Sequence, residues 1–324
     1  MQVQFGMDAG SAKGAGRKRS ARAGCGRRKQ DGCPLQQGVG EARDCMSMST
    51  FELKHSDFEK ISRLVYEQCG IYLHDGKKEL VKARLGKRLR AGGYGSFAEY
   101  YRYVTTQEGQ DELVSMIDSI STNLTSFFRE ASHFVRLGGI IRSFLENRGR
   151  PGSAGSFAVW SAGCSTGEEP YTLAMTIREA AQNRLSDVAI LATDISTKVL
   201  ETARAGIYAQ ERTRGIAPEI LKKYFQLGTG KSHGFVRVKE DLKKMVTFER
   251  FNLMDPFPAR RDFDVVFCRN VMIYFDKKTQ SVLVNKFYGA LKNGGYFFVG
   301  HSESLTGLTH PFQYVEPSVY RKNL

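Results

Sequence analysis

Two glycines and two carboxylates stand close together in the stretch V-W-S-A-G-C-S-T-G-E-E-P-Y, residues 159–171. Gly163 and Gly167 let backbone approach a ligand where a β-carbon would block it. Glu168 and Glu169 then open a helical pattern. A helix N-terminus attracts anions, so a pyrophosphate placed there would meet two repelling carboxylates. The dinucleotide pattern G-x-G-x-x-G is also missing from this stretch. A ligand that carries cationic groups and no phosphate suits these residues better. S-adenosylmethionine, with its sulfonium and ammonium, is such a ligand. Residues 166–169 read equally well as a capping box in which Glu169 closes the helix, and both readings stand on this stretch alone.

The elements around these residues follow from spacing. Phe157, Val159 and Trp160 form an apolar run ahead of the glycines, and Leu173, Ala174, Ile177, Ala180 and Ala181 fall at helical spacing behind them. Strand, glycine turn and helix open a doubly wound sheet. A second strand over 188–192 is apolar on both faces, as parallel strands are, and ends at Thr193-Asp194. An acid at that position holds ribose hydroxyls in Rossmann-like sites. A helix-capping role for Asp194 is the weaker reading, because Ser196 or Thr197 can cap the next helix unaided. The strand at 263–268 ends in Arg269-Asn270 and Val-Met-Ile-Tyr-Phe-Asp276. A helix over 277–291 closed by Asn293-Gly294-Gly295, a strand at 296–299 and a final hairpin over 312–320 complete a mostly parallel sheet with a late antiparallel strand. Residues 207–250 interrupt the alternation. A helix at 218–225, a glycine loop at 228–234 and alternating stretches at 235–239 and 245–250 predict an inserted antiparallel ribbon, whose open edge can receive a partner strand.

Residues 1–47 hold nine Lys or Arg against four acids and few apolar residues, so a basic disordered tail is expected there. It lacks the apolar core of a secretory signal. The whole chain carries a formal charge of +14, which points to an acidic partner. Residues 48–112 read as an all-helical domain. One helix spans 57–69 with Ser56 as cap and Gly70 as stop; another spans 77–91; a third carries Phe97, Tyr100, Tyr101, Tyr103 and Val104. The second helix buries Val81, Leu85 and Leu89 and otherwise carries Lys77, Lys78, Lys82, Arg84, Lys87, Arg88 and Arg90, with only Glu79 opposing. That cationic face predicts docking to something acidic. Residues 113–130 lead from a short amphipathic piece into S-T-N-L-T-S-F-F-R-E. Thr125 and Asn123 can cap the helix that follows. Arg129, set before an apolar helix, predicts a carboxylate partner.

The six cysteines show no metal spacing, so no metal is expected, and reduced thiols in a cytoplasmic protein are the expected state. No run of about eighteen apolar residues appears. No Ser-His-Asp or Cys-His set stands out. A basic RNA methyltransferase lacks an aromatic–basic platform here, so no nucleic-acid partner is expected. A docking module without catalysis is the reading from another class.

Six strings carry a resemblance over residues 51–321: S-T-N-L-T-S-F-F-R-E (121–130), W-S-A-G-C-S-T-G-E-E-P-Y (160–171), A-T-D-I (192–195), F-N-L (251–253), F-C-R-N-V-M-I-Y-F-D (267–276) and G-H-S-E-S-L (300–305). On these the chain resembles the chemotaxis receptor protein-glutamate O-methyltransferases, the CheR family. The resemblance implies an α/β fold: a Rossmann-like S-adenosylmethionine-dependent methyltransferase domain over 131–324, with a β-subdomain inserted at 207–250. A helical domain and a linker precede it. It implies a cofactor pocket of Asn123, Thr125, Arg129, Gly163, Glu169, Asp194, Asn252, Leu253, Cys268, Arg269 and Asn270. Arg129 and Tyr274 are then expected at the methyl group and the incoming glutamate. The implied partners are chemoreceptor cytoplasmic domains, met by the basic helix, with a receptor C-terminal peptide on the β-subdomain. The chain is expected to act as a monomer. His301 and Glu303 are expected to be structural.

Overall fold

The computed structural model describes residues 51–121, 123–147, 156–182, 184–185, 187–257 and 262–324. The basic tail at 1–47, with Cys25, Cys33 and Cys45, lies outside them. Four helices come first: α1 (His55–Cys69), α2 (Lys78–Gly92), α3 (Phe97–Val104) and α4 (Gln110–Ile120). Their apolar stripes close one core around Phe58, Ile61, Val65, Val81, Leu85, Leu89, Phe97 and Tyr100. Gly70 ends α1 in the left-handed conformation, as its type predicts. The start of α1 is earlier than Ser56: Lys54 is the cap, without a side-chain bond, so Ser56 lies within the helix. Only α3 in this group has a side-chain cap, Ser96 accepting from Glu99 N.

The remaining elements are α5 (Ser132–Asn147), β1 (Phe157–Ala162), α6 (Glu168–Ala181), β2 (Val188–Asp194), α7 (Thr197–Ala205), β3 (Ile207–Ala209), α8 (Pro218–Tyr224), β4 (Phe225–Leu227), β5 (Phe235–Val238), α9 (Glu240–Lys243), β6 (Val246–Arg250), β7 (Phe263–Cys268), α10 (Lys277–Ala290), β8 (Leu291–Val299), β9 (Gln313–Glu316) and β10 (Val319–Arg321). The main sheet runs β6-β2-β1-β7-β8-β10-β9. Its first five strands are parallel, and β10 and β9 are antiparallel to their neighbours. The chain leaves β1 toward β2 on one side and returns as β7 on the other. That topological switch opens a crevice at the carboxyl ends of β1, β2 and β7, where ligands bind in such sheets.

The inserted ribbon is smaller than its alternation suggests. Its three strands are β3, β5 and β4, all antiparallel. Residues 246–250 instead pair in parallel with β2, from Ile190↔Val246 to Asp194↔Arg250. A five-residue alternating run cannot tell a ribbon strand from the half-buried edge of a parallel sheet, since both have a period of two. The helix α10 also runs directly into β8, so Asn293-Gly294-Gly295 falls inside the strand, with Gly294 at φ 77°, and does not cap the helix.

The helical domain closes over the sheet through specific bonds. Tyr72 N donates to Tyr274 O at 2.8 Å, and Asn252 Nδ2 donates to Gln68 O at 2.7 Å. Tyr66 Oη donates to Asp276 Oδ2 at 2.9 Å, while the other oxygen of Asp276 caps α10 by accepting from Thr279 N. These bonds bring the segment after α1 to the mouth of the crevice.

Candidate active site

A cleft of about 400 Å³ occupies the crevice. Eleven of the twelve residues expected at the site line it: Asn123, Thr125, Arg129, Gly163, Glu169, Asp194, Asn252, Leu253, Arg269, Asn270 and Tyr274. Cys268 does not. Its side chain is fully buried in the core beside Trp160 and Val266, and burial pushes its thiol up. Cys164 and Cys69 are likewise free and buried with raised thiols. A nucleophilic thiolate is therefore not available among the described residues.

Gly163 at φ 83° and Gly167 at φ 96° shape the turn after β1. A β-carbon at Gly163 would run into Val271. Ser165, between them, is left-handed at φ 49°, and its N–H donates to Asp194 Oδ2 at 2.8 Å. The second Asp194 oxygen accepts from Ser196 N at 3.0 Å. Asp194 thus ties the ends of β1 and β2 together while facing the cleft, and burial pushes its carboxyl up. Ser196 caps α7 itself, accepting from Val199 N.

The capping-box reading of residues 166–169 fails. Gly167 is the N-cap of α6 and no side chain caps it. Glu169 reaches into the sheet, where Oε1 accepts from Ser161 Oγ at 2.7 Å and Oε2 from Arg269 Nη1 at 3.1 Å. Glu168 turns the other way, fully buried, and pairs with Arg212 of the insert. Thr125 does not cap α5, which begins only at Ser132.

Arg269 is the hub of this network, with a side chain only 2% exposed. Besides Glu169 it pairs with Glu130, Nη2 to Oε2 at 2.9 Å, and it donates to the Arg129 carbonyl. Its guanidinium lies 5.4 Å from the Phe134 ring centroid. Burial pushes the Glu130 carboxyl up, but Arg269 beside it outweighs burial and holds it below the ordinary carboxylate range. Glu169 stays raised, with burial dominant and Arg269 opposing. Of the two carboxylates that share this guanidinium, with side chains 13% and 12% exposed, it is Glu169 that lines the cleft and places its negative charge there. That charge, with Asp194 and the open Gly163 turn, fits the sulfonium and ammonium of S-adenosylmethionine.

Arg129 departs from its expected pairing. Its side chain has no carboxylate partner among the described residues; Nη1 donates to Leu124 O at 2.8 Å. The charge faces the cleft. Asn270, at φ 58°, is held by Glu303, whose Oε2 accepts from Asn270 N at 2.8 Å and whose Oε1 accepts from Ile273 N at 3.2 Å. Glu303 therefore shapes the 269–275 turn from below, which is a structural role. His301 sits against Ser132 at 3.2 Å and His133, outside the cleft lining. Glu130, His133 and His301 bring ligand atoms within 4.8 Å of one another, but Arg269 stands on Glu130 and would oppose a cation there.

Two parts of the site have no clear sequence signal. One wall comes from the helical domain, where Cys69, Ile71, Tyr72, Leu73, His74 and Lys77 line the cleft. The other is Glu130 together with Ser161. Of the seven basic residues on the second helix, Arg84 and Arg88 are also spent internally. Arg84 donates to the carbonyls of Ile120 and Ser121, and Arg88 pairs with Glu112. Lys77, Lys78, Lys82, Lys87 and Arg90 remain at the surface, with Lys77, Lys87 and Arg90 exposed and the other two half-buried.

A carboxylate-lined cleft at the switch point of a seven-stranded sheet, with its late antiparallel pair, defines a Rossmann-like S-adenosylmethionine-dependent methyltransferase domain. Residues 123–321 match the family model described as CheR methyltransferase, SAM binding domain, and residues 56–121 match that of the CheR methyltransferase all-alpha domain. The chain belongs to the CheR methyltransferase family. It is 43% identical to a chemotaxis protein methyltransferase of Borreliella burgdorferi over 82% of this chain and 94% of that protein. It is 40% identical to the chemotaxis protein methyltransferase of Escherichia coli over 83% and 91%, and 40% identical to chemotaxis protein methyltransferase 2 of Pseudomonas aeruginosa over 83% and 94%.

Proposed function

We propose that the chain transfers methyl from S-adenosylmethionine to glutamate side chains of chemoreceptor cytoplasmic domains, forming glutamyl methyl esters for sensory adaptation. The observation that carries this is Arg129: a cation at the cleft with no carboxylate partner among the described residues, open to an incoming acidic side chain. Bound in the cleft, S-adenosylmethionine supplies an electrophilic methyl group on its sulfonium. A glutamate with pKa near 4.3 is already ionised at neutral pH, so no general base is required. The residues have to orient the acceptor and exclude water from its carboxylate. Arg129 orients it by a charge-assisted bond. Tyr274 adds a hydrogen bond from the same rim. Asn123, Thr125, Gly163, Glu169, Asp194, Asn252, Leu253 and the Arg269-Asn270 turn hold the cofactor.

The test is transfer of labelled methyl to a receptor cytoplasmic fragment, followed by alkali. Glutamyl esters release methanol in base, whereas N-methyl groups and most nucleic-acid methyl groups do not. Base-labile label, lost when the acceptor glutamates become alanine, is the expected result. Base-stable label would move the reading to another acceptor.

The receptor is met by the basic face of α2, now Lys77, Lys78, Lys82, Lys87 and Arg90. Binding of the fragment is expected to weaken by about tenfold between 50 mM and 500 mM salt, because exposed charges are screened over that range. Salt-independent affinity measured by calorimetry would remove the electrostatic face. The three-stranded sheet leaves β3 and β4 as edges, with Leu227 exposed beside them. A receptor C-terminal peptide would add there as a further strand. The chain acts as a monomer in the cytoplasm on this reading; no helix among the described residues is long and apolar enough to cross a membrane. The boundary expected near residue 112 falls inside α4, whose Leu113, Met116, Ile117 and Ile120 pack in the helical core, so on this reading the helical domain extends to the end of α4 and the linker runs from there to about residue 130.

A further inference from the structure

Arg129 lies between two residues in a conformation that L-amino acids rarely adopt, Phe128 at φ 54° and Glu130 at φ 59°. Such backbone persists only where its surroundings over-determine it. On the Phe128 side, its N–H donates to Thr172 Oγ1 at 3.3 Å, and its ring packs edge-on to Phe134 with centroids 5.8 Å apart. On the other side, Glu130 Oε2 accepts from Arg269 Nη2 at 2.9 Å and Nε at 3.3 Å, Oε1 accepts from Asn270 Nδ2 at 3.4 Å, and the Glu130 carbonyl accepts from His133 N at 3.1 Å. Arg269 also donates to the carbonyl of Arg129 itself. Arg129 N itself donates to Ser126 O at 3.4 Å, so the peptide groups on both sides of Arg129 are held, while the hydrogen bond of its side chain among the described residues goes to the Leu124 carbonyl.

Glu130 is not needed to balance Arg269. Glu169, at 3.1 Å, already does so. A second carboxylate in the same buried place costs desolvation and repels the first. What it adds is geometry: a two-point grip on Arg269, which in turn holds the Arg129 carbonyl. We infer that Glu130 is a positioning residue for methyl transfer, which acts through Arg269 and the Arg129 backbone to set the direction in which the Arg129 guanidinium enters the cleft. This rests on the role given to Arg129 under Proposed function.

The experiment is a double-mutant cycle on the full chain with a receptor fragment. It compares wild type, Glu130→Gln, Arg129→Ala and Arg129→Ala/Glu130→Gln, with Glu130→Asp beside Glu130→Gln in both backgrounds. Turnover, KM for the acceptor, S-adenosylhomocysteine affinity by calorimetry and the urea midpoint are read for each. Glu130→Gln is expected to lower kcat by about 10–100-fold, the scale of a misplacement of about 1 Å. S-adenosylhomocysteine affinity is expected to change by less than about threefold. With Arg129 already alanine, the same change is expected to cost less than about threefold, because residues that act as a unit are not additive. Glu130→Asp, which keeps the charge, is expected to restore part of the turnover. It also carries the test alone if the glutamine variant does not fold. Equal losses in both backgrounds would assign Glu130 to stability or cofactor binding and overturn the inference, as would wild-type turnover in the single variants. A wild-type chain that moves no methyl to the fragment would overturn the parent reading, and this one with it.

Discussion

Arg129→Ala is expected to lower kcat/KM for the receptor by about 100-fold while S-adenosylhomocysteine still binds. The physics decides what kind of loss this is. In the proposed reaction a carboxylate anion meets a sulfonium cation, and both charges vanish. A cation held on the carboxylate therefore stabilises reactants more than the transition state, so it does not by itself raise kcat. The benefit of Arg129 has to come from aiming the acceptor oxygen, and it should show in KM for the receptor as well as in kcat. Arg129→Lys tests the distinction. It keeps the charge but loses the planar fork, so it should recover little of the rate. Tyr274→Phe, which removes one hydrogen bond, is expected to cost about tenfold. Near-normal turnover in Arg129→Ala with intact cofactor binding would remove Arg129 from the acceptor site.

Replacing Arg269 has a larger expected effect on the fold. Arg269→Met removes the cation shared by Glu130 and Glu169, whose side chains are 13% and 12% exposed. Breaking a buried pair in this way costs about 3–5 kcal/mol. The cost should depend on pH, and its sign follows from linkage. In the native chain Glu130 lies below its ordinary range, so it contributes stability above the carboxylate range that is lost on acidification. Without Arg269, burial is opposed only by the remaining hydrogen bonds, from the His301 backbone and Asn270 on Glu130 and from Ser161 on Glu169. Both carboxyls then rise above their unfolded values, and the variant gains stability as pH falls from 7 toward 5. His133 adds in the same direction. Burial, seconded by Arg269, pushes it down to about 4, and removing Arg269 lets it take up a proton more readily. Urea midpoints at pH 5 and pH 7 check this: the gap between wild type and Arg269→Met should narrow at the lower pH. A gap independent of pH would mean that the two carboxylates do not depend on Arg269.

Much of this protein was legible along the chain. Apolar spacing placed α1 to α4, β1, β2, β7 and α10 within a few residues, because periodicity and capping are set by neighbours no more than about four positions apart. Gly70 stopped its helix because a left-handed C-cap suits a residue without a β-carbon. The strand-end residues Gly163, Asp194 and Arg269-Asn270 could be assigned to one crevice, since parallel strands deliver their carboxyl ends to the same edge.

Tertiary structure alone decided the rest. Arg269 meets Glu130 and Glu169 from positions 139 and 100 residues away in the chain, and no spacing encodes such a pair. Glu169 looked like a helix cap because the capping pattern is local, whereas the packed sheet offered it Ser161 and a buried guanidinium. Arg84 and Arg88 looked like part of a docking face, but α4 lies beside them and accepts their hydrogen bonds. The alternation at 246–250 is the same in a ribbon and in a parallel edge strand; pairing with β2 chose between them. The wall of Ile71, Tyr72 and His74 joins the cleft only because the helical domain docks through Tyr66, Gln68 and Tyr72. Local order follows from neighbouring residues, while the electrostatics of the site follow from which distant side chains are buried together.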